Sequence, residues 1–121
     1  MKVIRIKEDV FSTKVQIFVC SMKKFNELAE RNGFAPEGDE DTTGTHQVHY
    51  KGGSSTHIIW IKGEASKEEK IDILAHEMIH LVMKRFKNLQ VPIGPKNEET
   101  FAYFYASMFT KALYKLGLAK K

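Results

Sequence analysis

Residues 74–82 read LAHEMIHLV. Two histidines, His76 and His80, stand four apart with Glu77 between them. On a helix, positions four apart lie one above the other on the same face, so the two imidazoles can address one ion. Glu77 is turned by about 100° from His76, which aims it beside such an ion, at a water on the metal. A zinc ion lowers the pKa of that water towards ~7. The glutamate then takes the proton as the oxygen attacks a carbonyl, and passes it to the leaving amine. The alternative is a pair of hydrogen-bonded histidines on the face of a buried helix.

The surroundings favour the metal. Ser66-Lys67-Glu68-Glu69 is a capping box with Ser66 as N-cap. Ile71, Leu74, Ala75, Met78, Val82 and Phe86 follow at helical spacing as a core stripe, and the histidines lie to one side of it. The helix is expected to end near Asn88, because VPIGP at 91–95 makes a turn. Asn97 is expected to cap a last helix to Leu116, stopped by Gly117. A zinc site needs a third protein ligand. Glu98 and Glu99 open that last helix, where the helix dipole favours acids in any case. The stripe Glu99, Ala102, Ala106, Thr110, Leu113 offers two alanines for close approach to a neighbour. If that neighbour is the histidine helix, Glu99 lies over the metal and Glu98 turns away.

Upstream, Val3–Ile6 and Val15–Val19 read as strands, and Ser21–Asn32 as a serine-capped helix ended by Gly33. APEGDEDTTGT at 35–45 is an exposed loop. His46–Lys51 and His57–Lys62 are strands joined through KGGSS at 51–55. His46 and His49 fall on opposite faces of their strand, so they form no local metal pair and are expected at the surface. Asp72, one turn before His76, either orients an imidazole or lies exposed. Tyr103, His57 and Tyr50 are the candidate donors to an oxyanion.

Composition narrows the class. A chain of 121 residues, 42% hydrophobic and 28% charged, fits one domain spanning 1–121. A single cysteine, Cys20, excludes a disulfide framework and a Cys-rich zinc site. No apolar run approaches the ~20 residues of a membrane span. MKVIRIKEDV at the start has no continuous apolar run of the kind a signal peptide needs, so a cytoplasmic protein without membrane contact is expected. The net charge is +4, and Lys111, Lys115, Lys120 and Lys121 read as a solvated face and tail; no nucleic-acid partner is expected. FAYFYASMF at 101–109 is apolar nearly all round, which points either to a central helix or to a surface for a protein partner or a second copy.

HEMIH followed by NEETFAYFYA resembles a minimal gluzincin, a zincin metallopeptidase whose third ligand is a glutamate. The closer resemblance is to small phage-encoded metallopeptidase-like proteins, with a histidine-pair helix and then a helix like Glu98-Glu99-Thr100-Phe101-Ala102-Tyr103. The span Glu99 to Ala106 is also similar to the immunity-repressor peptidases of mobile elements, although Tyr103 stands where their pattern has asparagine. The resemblance covers roughly residues 57–106. It implies a zincin-like α+β fold, with a small, mainly antiparallel sheet packed on the HExxH helix and on the C-terminal helix that bears the glutamate. It also implies one zinc ion on His76, His80 and Glu99, with Glu77 as base. In such proteins the strand before the histidine helix forms the sheet edge that aligns the substrate backbone; here that is HIIWI at 57–61, which makes His57, Trp60 and Tyr103 the candidate substrate contacts.

The leading expectation is therefore zinc-dependent hydrolysis of a peptide or protein substrate. A non-catalytic zinc-binding or interaction module of phage or mobile-element origin is the second, and a basic structural protein with incidental histidines the third.

Overall fold

Alternation along strand β1, Lys2–Glu8, turns Ile4 and Ile6 inward and leaves Arg5 and Lys7 exposed. β2, Thr13–Cys20, pairs antiparallel with it, and the turn between them is held by Glu8, whose carboxylate accepts the backbone N–H groups of Val10 and Phe11. The computed structural model describes residues 1–120; Lys121, the end of the expected basic tail, lies outside them. After β2 come α1 (Met22–Asn32), β3 (Gly44–Lys51), β4 (Ser54–Lys62), α2 (Lys67–Asn88) and α3 (Glu98–Lys115). The result is a small α+β fold with a mixed four-stranded sheet in the order β1-β2-β4-β3. The two outer pairings are antiparallel and the central one, β2 with β4, is parallel.

Two cores lie on opposite faces of this sheet. On one, Ile4, Ile6, Val15, Ile17, Ile59 and Ile61 meet Leu74, Met78, Leu81, Val82 and Phe86 of α2 and Phe104, Met108 and Ala112 of α3. On the other, Phe18, Ile58 and Trp60 meet Phe25 and Ala29 of α1. Each fully buried Leu, Met or Phe side chain contributes ~1.5–3 kcal/mol. Leu74, Met78, Leu81 and Phe86 thus fix the rotation of α2 about its axis, and with it the direction of His76 and His80.

The local signals act as their chemistry dictates. Ser21 and Ser66 accept from the N–H groups of Lys24 and Glu69 at the N-caps of α1 and α2. Gly33, at φ 78°, closes α1 in the left-handed region. Gly52 and Gly53 both take positive φ, which makes the β3–β4 connection a two-residue turn and sets the register of the pair. Asn97 occupies the N-cap position of α3 without a side-chain capping bond; its amide N–H donates to the carbonyl oxygen of Pro92. Among the described residues no helix is long and apolar enough to cross a membrane.

Two expectations are corrected. The strand before α2, β4, is not an edge: it lies between β2 and β3, and the edge beside α2 is β3. In α3, the stripe of Glu99, Ala102, Ala106 and Thr110 is exposed. The helix instead buries Phe104, Met108 and Ala112, with Phe101 and Tyr105 partly buried beside them. Phe104 and Phe101 pack on Phe86, with ring centroids 6.0 and 5.5 Å apart. The aromatic face removes far more apolar area from water than an alanine face can, and it wins the contact.

Candidate metal centre

Because the buried side of α2 is anchored by large apolar side chains, the next faces round the helix carry the polar groups. His76 and His80 are exposed, one turn apart, and their Nε2 atoms lie 3.1 Å from each other. Glu77, between the buried face and the histidines, is itself buried. The ligating atoms of His76, Glu77 and His80 all lie within 4.8 Å of one another, and the three form a group able to hold a metal ion. The donor set fits. Two nitrogens each ~2.0–2.1 Å from a tetrahedral ion stand ~3.3 Å apart, close to the observed spacing. Burial raises the pKa of Glu77, while the charges of His76 and His80 pull it back. The net direction is upward, which makes Glu77 a stronger proton acceptor than an ordinary surface carboxylate.

The group borders a depression of about 660 Å³ lined by Gly44, His46, Val48 and Tyr50 of β3 and by Glu77, His80 and Lys84 of α2. Its wall is the edge strand. Gly44 permits this close approach: a Cβ there would meet Trp60 O at 3.1 Å and Glu77 Cγ at 3.6 Å. On the far side of α2, the Tyr105 hydroxyl donates to the carbonyl oxygen of Ala75 at 3.1 Å, which ties α3 to the residue just before His76.

The other expected site residues are placed as follows. Glu99 is exposed on the first turn of α3 and stands outside the His76–Glu77–His80 group. Trp60 is completely buried in the α1-side core, with its indole N–H donating to Cys20 O at 3.0 Å, so it presents no surface to a substrate. His57 is 1% exposed and likewise offers no direct contact. Tyr103 is 75% exposed on α3, Tyr50 stands at the rim of the depression, and Asp72 is exposed.

His46 is the residue that sequence reasoning missed. It is partly buried, faces α2, and stacks on His57 with ring centroids 5.1 Å apart. Its Nε2 lies 2.8 Å from His57 Nδ1. Burial lowers the pKa of His46 to about 4, and the positive charges of His80 and Lys84 add to this. Burial lowers that of His57 to about 3, helped by His46, Arg85 and Lys84. A signal was available: a two-residue Gly52-Gly53 turn pairs Val48 with His57 and leaves His46 diagonal to it on the same face. His49, on the opposite face, packs its ring on Phe34.

Comparisons with protein-family models, with curated proteins and with solved structures find no match to this chain.

Proposed function

We propose that the protein hydrolyses peptide bonds, with a zinc ion held by His76 and His80 and with Glu77 as the general base. The observation that carries this reading is the placement of a buried glutamate beside two imidazole nitrogens set at the spacing of one ion. When bound, zinc on His76 and His80 would supply Lewis acidity, which lowers the pKa of a water towards ~7. Glu77 would accept a proton from the attacking water and return it to the leaving nitrogen, a role that its burial beside the two histidines supports. The outer edge of β3 is unpaired and runs past the depression, so a substrate in extended form can add to the sheet there by main-chain hydrogen bonds. Such pairing recognises backbone more than sequence.

A second reading is a zinc-binding or interaction module without catalysis: with Glu99 outside the group, His76 and His80 are the protein ligands in place, one short of the three that a catalytic zinc site uses. One experiment separates the two. Purified protein is loaded with zinc and offered a broad peptide library beside Glu77→Gln. Cleavage by the wild type that vanishes in the variant supports the hydrolase; zinc uptake without such cleavage supports the module.

A further inference from the structure

His57 poses a problem that the hydrolase reading leaves open. It is a titratable side chain in the interior, 1% exposed, and its Nε2 is buried without a hydrogen-bond partner. Its one polar contact is with His46. Two tautomer pairs satisfy that contact. In one, His46 donates from Nε2, and His57 must then carry its proton on Nε2, which strands a buried N–H with no acceptor. In the other, His57 donates from Nδ1, and its Nε2 is a bare lone pair. An orphaned buried donor is the rarer and costlier state, so the second pair is favoured. His46 Nε2 is then occupied as an acceptor, and the His46 proton sits on Nδ1. Neither nitrogen of His46 has a lone pair left for a metal, yet the residue lines the same depression as Glu77 and His80.

We propose that His46 is a fixed hydrogen-bond donor, through Nδ1–H, to the carbonyl oxygen of a peptide lying along β3, and that buried His57 is the positioning residue that sets its tautomer. The proposal rests on the hydrolase reading. As the carbonyl oxygen gains negative charge, a donor already oriented by its neighbour stabilises it without reorganisation. No proton moves to or from His46 in this role.

The test has a zinc-free and a zinc-loaded arm. Long-range 1H–15N correlation spectra of the zinc-free protein read each histidine tautomer directly. Protons on Nδ1 of both His46 and His57 are expected; His57 found with its proton on Nε2 overturns the assignment. In the second arm, zinc-loaded proteins are titrated with N-phosphoryl-leucinamide, whose tetrahedral phosphoryl group resembles the charged carbonyl. His46→Ala is expected to bind it about 10²-fold more weakly, with zinc affinity unchanged. His57→Leu should show a similar loss, and His57→Asn, whose amide N–H can replace the Nδ1–H donor, should recover most of it. Equal binding by wild type and His46→Ala, or no binding by the wild type, overturns the proposal. So does a loss of zinc affinity in His46→Ala, which would make His46 a ligand. A wild type that takes up no zinc fails at the earlier step, and the hydrolase reading falls with it.

Discussion

Gly44 on β3 and Ile73 on α2 are so close that a Cβ on the glycine would stand 2.2 Å from the isoleucine Cγ2. This contact sets the width of the gap between the edge strand and the helix that carries the histidines. Gly44→Ala is expected to push α2 outward and to destabilise the fold by about 1–3 kcal/mol, the usual cost of overpacking. Gly38→Ala, with nothing near its added methyl group, is the control. Urea unfolding of both checks this, and equal midpoints would contradict the close contact.

Within the candidate metal centre, Glu77→Gln keeps the side-chain size and removes the basic carboxylate. It should retain zinc and lose ~10²–10⁴-fold in turnover. His76→Ala and His80→Ala should lose zinc, read by elemental analysis after gel filtration. Release of zinc by Glu77→Gln alone would make Glu77 a ligand and reverse the roles.

Glu99→Ala measures the third ligand directly. Since Glu99 lies outside the group and its stripe faces solvent, the variant should bind zinc as the wild type does, and so should Glu98→Ala. Loss of zinc in Glu99→Ala alone would show that the first turn of α3 swings onto the ion when it binds.

The buried histidine pair makes stability depend on pH. Unfolded, His57 takes a proton below its ordinary value of 6.5; folded, it stays neutral down to about 3. The unfolded chain therefore holds more protons in that window, and stability falls as the pH falls through it. One such proton gives a slope of up to about 1.4 kcal/mol per pH unit. In urea unfolding of the zinc-free protein between about pH 5 and about pH 7, His57→Leu should show a shallower dependence than wild type. Parallel slopes would mean that His57 is protonated in the folded protein.

Much of the outline was legible because local chemistry wrote it. Ser21, Ser66 and Gly33 each act through neighbours a few residues away, and their helices begin and end where expected; the Gly52-Gly53 turn is tighter than the expected KGGSS connection, so β4 starts at Ser54 rather than at His57. The face of α3 is not legible in the sequence, for a different reason. Its sequence is apolar nearly all round, so helical spacing alone allowed an alanine stripe or an aromatic one to face α2. Phe86, contributed by α2, makes the aromatic choice the one that fills space.

The candidate site divides along the same line. His76, Glu77 and His80 lie within one helical turn and a half, so the 3.6-residue period by itself brings their side chains together, and the sequence determined that group. Strand order was decided only by the tertiary structure. The parallel pairing of β2 with β4 places β4 in the middle, makes β3 the edge, and carries His46 to the wall beside Glu77 and His80. No local period encodes that arrangement, because it follows from burying the Ile58–Ile61 run on both faces of the sheet at once.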